Sequence, residues 1–332
     1  MSNLISVIMP CFNHQNYLNE AIDSILLSKL NNFEIIIVDD CSTDASVKII
    51  EAYNSNKIKL VKHDQNLGIS HSLNSGLKVA QGDFLSFFAG DDVFYQDRLQ
   101  SQYKAYDEIG NYLLFSSPIL FNSSKNKVED TQKSFNLRHK EVLGNPSLIF
   151  KSLFTRGNFI CASSGFCHRS ILENFLYDTR LHQLQDYDLW LKLAIQDKIR
   201  FHNSPVCLYR FNEQGNGVSK PSLAVNNRSF MEAQIIFDKL FATEPTEIFK
   251  CLGLEKNDFL QLSKKAESIE LKYWALRKQY DFTAQNAPAK ATKELIYHPN
   301  HTEYEIRSKQ IFQQETSVKS QIKKLVNLIL SR

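Results

Sequence analysis

The segment FEIIIVDD (residues 33–40) decides how the chain is read: Ile35, Ile36, Ile37 and Val38 run unbroken into two carboxylates, Asp39 and Asp40. A continuous apolar run, rather than an alternating one, is what a strand covered on both faces needs, and such strands belong to parallel sheets. The same form recurs in DFLSFFAGDD (residues 83–92), which ends in Gly90-Asp91-Asp92. Further β-type runs lie at Ile5 to Met9, Lys57 to Val61 and Tyr112 to Phe115. Amphipathic stretches separate them, at Asn16 to Leu30, Ile69 to Ala80 and Gln96 to Ile109, and Ser42 or Thr43 is placed to cap a helix through Ile50. Strand and helix in alternation imply βαβ units, hence a mainly parallel α/β sheet whose ligands gather at the carboxyl ends of the strands.

Residues 118–160 lose this rhythm and read as loops and short helices over the sheet edge. A helix returns at Tyr187 to Gln196, and past residue 216 the sequence is helical and polar. The expected division is a catalytic domain over 1–220 and a helical extension over 221–332. Within that extension, Val318, Ile322, Leu325, Val326, Ile329 and Leu330 share one helical face beside Lys319, Lys323, Lys324 and Arg332. A helix of this kind can lie in an anionic membrane surface or dock its apolar face on protein.

Of the 332 residues, 43% are hydrophobic, enough to bury a substantial core and exclude global disorder. Lys and Arg number 39 against 36 Asp and Glu, a net +3 too small to indicate nucleic-acid binding by bulk charge. No apolar run is long enough to span a bilayer, and the opening residues lack a secretory pattern, so a cytoplasmic protein is expected. The six cysteines show no paired-ligand spacing, which favours reduced, buried thiols. Cys161, Cys167 and His168 fall one ligand short of a zinc site.

The acidic strand ends are where chemistry can sit. A carboxylate after a first-half strand can bind ribose hydroxyls or a base N–H, and a carboxylate pair after a glycine can hold a hard cation. Either pair can equally cap the following helix. A third cluster, QDYD (residues 185–188), puts Asp186 where a helix begins, as a general base facing a cleft or as a helix cap. There is no P-loop, no G-x-G-x-x-G after the first strand, no G-x-S-x-G elbow and no H-E-x-x-H.

Together SVIMPCFNHQNYLNEAIDSIL, FEIIIVDDCSTDAS, NLGISHSLNSGLKVAQGDFLSFFAGDD and QDYDLWLKL resemble, in order and spacing, the family 2 glycosyltransferases over about residues 4–220. The resemblance implies a GT-A fold, an αβα sandwich, and an inverting transfer from a nucleotide-diphosphate sugar, by family habit uridine-linked. It implies a glycan or lipid-linked glycan acceptor in surface-polysaccharide synthesis, and Mn2+ or Mg2+ on the diphosphate. By resemblance Pro10 and Phe12 line the base pocket, Asp39 binds base or ribose, and Asn66, Gly68 and Asn74 close that half of the site. Asp91 and Asp92 match the metal and ribose-diphosphate carboxylates, Asp186 the catalytic base, and Ser164 and Gly165 a small-residue loop near the donor sugar. The chain departs from the pattern at Ala89, where an acid is frequent, at Leu73 for Arg, at Gln185 for Glu and at Asn212 for His. Those losses leave a second reading, a catalytically silent nucleotide-sugar-binding protein on the same fold.

Overall fold

The computed structural model describes residues 3–109, 112–123, 125–128, 142, 145, 147–211, 223–243 and 245–252. The basic stretch 316–332 and Asn212 lie outside the described residues.

Two compact units divide the chain: residues 1–149 with 158–220, and residues 150–157 with 221–332. In the first, β1 (Ile5–Cys11), β2 (Phe33–Asp39), β3 (Ile58–Lys62) and β4 (Phe84–Phe87) alternate with α1 (Leu18–Leu26), α2 (Ser46–Ala52) and α3 (Ile69–Val79). After β5 (Val93–Phe94) and α4 (Arg98–Ile109) come β6 (Leu113–Ser116), β7 (Ile119–Asn122) and β8 (Lys127–Val128). Beyond α5 (Ser147–Arg156) lie β9 (Phe166–His168), α6 (Gln185–Ile195), β10 (Ile199–His202) and β11 (Cys207–Phe211).

Seven strands form the main sheet in the order β10-β6-β9-β4-β1-β2-β3. β1 runs parallel to β2 and β4, β2 to β3 and β6 to β10, while β9 is antiparallel between β4 and β6. The expected α/β class with a mainly parallel sheet is what is found. Ile35 through Val38 are completely buried, and each such side chain contributes about 1.5–3 kcal/mol by leaving water. Leu18, Ala21, Ile22 and Ile25 form the buried stripe of α1. A second sheet, β5-β11-β7-β8, occupies part of the region read from sequence as loops. Its strands are two to five residues long, too short to show a period.

The helix after β2 begins later than expected. α2 starts at Ser46, behind Ala45, because Asp44 Oδ1 accepts the Ser46 N–H at 2.9 Å. Ser42 and Thr43 face the loop after β1 instead: Ser42 Oγ accepts the Asn13 N–H, and Asn13 Oδ1 accepts the Thr43 N–H.

In the second unit, α7 (Leu223–Thr243) and α8 (Pro245–Cys251) follow one another. Phe154 meets Phe237 edge-on at 5.3 Å and stacks on Phe150 at 5.6 Å. Ala233, Ile236, Leu240 and Ile248 are buried with them. Among the described residues no helix is long and apolar enough to cross a membrane.

Candidate functional site

The carboxyl ends of β1 and β2 lie side by side, with Pro10 opposite Val38 and Cys11 opposite Asp39. Several contacts fasten the loops that follow: Gln15 N–H donates to Asp44, Ala45 N–H to Gln15 and His14 N–H to Ser46 Oγ, besides the bonds of Asn13 to Ser42 and Thr43. Asn13 and Cys41 take positive φ, 56° and 61°, to make these turns. Phe12 stands 41% exposed beside them. Asp39 is buried at 1% exposure; Oδ2 accepts the Ser42 N–H at 2.9 Å, and Oδ1 has no partner among the described residues. An orphaned buried acceptor costs about 1–3 kcal/mol, which an incoming N–H or O–H donor would recover. Burial, and then the charge of Asp39, push the neighbouring Cys11 thiol up to about 12.

Asp40 has a different task. Its oxygens accept N–H groups of Leu67 and Gly68 at 3.0 and 2.7 Å and lie 2.7 Å from His63 Nδ1. It therefore caps α3 from outside the helix. Gly68 holds φ +91° there, and a Cβ would come within 2.8 Å of His182 Nδ1, so both the turn and the approach need glycine. Asn66 is exposed in this loop. Asn74 behaves as a clamp, donating to the Tyr177 carbonyl at 2.9 Å and accepting the Tyr177 N–H at 3.0 Å. Ser70 Oγ donates to the Leu181 carbonyl, so α3 holds the 177–182 loop at two places.

The acidic turn follows β4. Asp91 is half-buried, whereas Asp92 is 1% exposed, with Oδ1 accepting the Arg210 N–H at 2.9 Å. Burial, reinforced by Cys207 and Asp91, raises the Asp92 carboxyl well above the usual range. The two expected metal carboxylates are thus unequal: Asp91 is the accessible one, and Asp92 is turned into the protein. The Arg210 side chain donates from Nε to the Asp91 carbonyl at 2.8 Å and from Nη2 to Glu20 at 2.6 Å. On the other side His14 packs so closely that a Cβ on Gly90 would meet its Nδ1 at 2.6 Å.

Asp186 opens α6. Its Oδ1 accepts the Tyr187 N–H at 2.7 Å, and its Oδ2 accepts the Asn158 amide at 2.8 Å. The phenol of Tyr209, on β11, is raised by burial and then by the charges of Cys161, Asp92, Asp91 and Asp186. Ser164 and Gly165 lie beside the end of β4, where the Gly165 carbonyl accepts the Phe87 N–H at 3.0 Å. Ser164 is fully buried with Oγ donating to the Cys161 carbonyl at 2.7 Å, and a Cβ on Gly165 would press on Phe87 and Phe115.

Asn158, Arg210 and His14 escaped the sequence reading. A lone Asn or His carries no local signal, and Arg210 meets Asp91 from 119 residues away. Among the described residues no three His, Cys, Asp or Glu side chains form a ready cation cage, and this includes Cys161, Cys167 and His168. Asp91 supplies one carboxylate. That fits a hard cation whose other ligands are diphosphate oxygens and water, the usual habit of Mg2+.

Comparison with known proteins places this geometry. The chain is 28% identical over 230 residues to the putative glycosyltransferase EpsE of Bacillus subtilis, covering 66% of this chain and 76% of that one. Longer relatives from Rickettsia bellii and Rickettsia felis match at 29%, and the chain spans only 31% and 35% of their lengths. Among solved structures it resembles residues 1–349 of Staphylococcus aureus TarS in complex with UDP, with a TM-score of 0.59 at 17% identity over 88% of this chain and 78% of that one. It also resembles the mannosyltransferase PcManGT of Pyrobaculum calidifontis in complex with GDP-Man and Mn2+, with a TM-score of 0.56 at 14% identity over 99% and 86% of the two chains. At these identities the structures establish a shared fold. The family model described as glycosyl transferase family 2 matches residues 6–176, from the first strand to the loop clamped by Asn74, and the chain belongs to that family.

Proposed function

We propose that the protein is an inverting glycosyltransferase that moves a sugar from a nucleotide-diphosphate sugar, uridine-linked, to a hydroxyl of a glycan or lipid-linked glycan in surface-polysaccharide synthesis. The observation that carries the reading is the placement of two strand-end carboxylates: Asp39, buried with Oδ1 unpartnered among the described residues, and the accessible Asp91 follow β2 and β4, the two parallel neighbours of β1, and so stand at the carboxyl edge of one sheet. UDP in the TarS structure and GDP-Man with Mn2+ in PcManGT support the donor class.

In this reading Phe12 and Pro10 flank the base, and the free oxygen of Asp39 accepts its N–H. Asn66 and Gly68 border the ribose side, while Asn74 positions the 177–182 loop rather than touching the donor. Asp91 would hold a divalent cation together with the diphosphate, where such a cation would supply charge stabilisation for the departing nucleoside diphosphate, and Asp92 positions the turn from inside the protein. Asp186 takes the proton of the acceptor hydroxyl as that oxygen attacks opposite the leaving group, which inverts the anomeric centre. Ser164 and Gly165 form the wall behind the donor sugar.

The test is nucleoside-diphosphate release over a panel of nucleotide sugars and acceptors, with and without Mn2+, and with the anomeric form of the product read by NMR. Metal-dependent release with inversion supports the reading. Tight UDP binding without turnover on any acceptor in the panel favours the silent binding protein instead.

A further inference from the structure

We infer that Arg210 is a positioning residue that sets the acidic turn for its cation and donor diphosphate, an inference that rests on the function proposed above. Arg210 touches both halves of the turn. Its backbone N–H binds the Asp92 carboxylate, and its Nε binds the Asp91 carbonyl. Leu208 and Cys207, just before it, pair with Val93 and Phe94, just after the turn, so β11 and β5 extend the same join.

The far end of the side chain is anchored as well. Nη2 meets Glu20 of α1 at 2.6 Å, and the guanidinium lies 5.0 Å from the Tyr17 ring centre and 5.4 Å from that of Phe121. With the side chain only 12% exposed and its charge paired to Glu20, the fork faces protein. That separates a positioning role from direct phosphate binding. A planar fork is required because one group must reach a carbonyl and a carboxylate on different elements, which a lysine ammonium does poorly.

The experiment compares wild type, Arg210→Lys and Glu20→Gln. Mn2+ binding in the presence of UDP is followed by the electron paramagnetic resonance of free Mn2+, beside turnover and thermal melting. Losing the Asp91 carbonyl bond should weaken Mn2+ binding about tenfold in Arg210→Lys, the effect of one charge-assisted hydrogen bond. Donor KM should rise with it, while kcat at saturating metal and the melting temperature stay near wild type. Glu20→Gln, which keeps the Nε bond, should show the same change in smaller measure. Equal Mn2+ affinity in wild type and Arg210→Lys, or loss of kcat in step with loss of folding, overturns the inference alone. A wild type that binds neither UDP nor Mn2+ overturns the functional reading and the inference together.

Discussion

The side-chain amide of Asn158 donates to Asp186 Oδ2 at 2.8 Å, and the Tyr187 N–H meets the other oxygen at 2.7 Å. Two donors from different directions fix the plane of that carboxylate, and Asn158 Oδ1 is itself held by the Ile160 N–H at 3.1 Å. Asn158→Ala should lower kcat about tenfold through misplacement of the base, with donor KM and melting temperature little changed. Steady-state kinetics beside a melting curve check this, and an unchanged kcat would separate Asn158 from the reaction.

The Gly90–His14 contact makes a second prediction. Gly90→Ala pushes a methyl against the imidazole at 2.6 Å, an overpacking of about 1–3 kcal/mol. His14→Ala should relieve most of that cost. A double-mutant cycle on melting temperatures reads the coupling, and strictly additive effects would mean the two residues do not meet.

Thiol labelling probes the proposed base pocket. Cys41 and Cys251 are partly accessible, while Cys11, Cys161, Cys167 and Cys207 are buried. In the folded protein the first two should react first. Cys11, pushed up to about 12 by burial and by Asp39, stays a protonated and inert thiol well past neutral pH. Cys41 lies two residues after Asp39, so saturating UDP should slow its modification several-fold and leave Cys251 unaffected. Mass spectrometry of the labelled peptides decides, and equal Cys41 rates with and without UDP would move the base elsewhere.

Metal removal tests the acidic turn. With Asp91 as the accessible carboxylate, chelation should abolish transfer and added Mn2+ or Mg2+ restore it. Asp91→Asn should weaken metal binding more than Asp92→Asn, whose side chain lies inside the protein. Full activity of Asp91→Asn in excess chelator would remove the cation from the account.

The parallel sheet was legible because β2 is an unbroken buried run, and a fully covered strand writes its environment into consecutive residues. Asp39, Asp91 and Asp186 could be picked out as candidates because each follows such a run or opens an amphipathic helix. The second sheet was not, since strands such as Val93–Phe94 and Lys127–Val128 have no period to read. The separation of Asp92 from Asp91 was equally hidden. Asp92 turns inward onto the backbone N–H of Arg210, 118 residues away in sequence, and no local pattern carries that. Asn74 shows the same limit, as its amide matches a ligand-binding position yet is spent on the backbone of Tyr177.

The central claim is that Asp186 takes the acceptor proton, and Asp186→Asn tests it most directly because shape is kept and basicity removed. The measurement is single-turnover transfer from a nucleotide sugar that the wild type uses, with UDP affinity determined on the same samples. Transfer should fall by about 10² to 10⁴-fold while UDP affinity stays within about twofold. Transfer at the wild-type rate by a folded, UDP-binding Asp186→Asn protein would contradict the account.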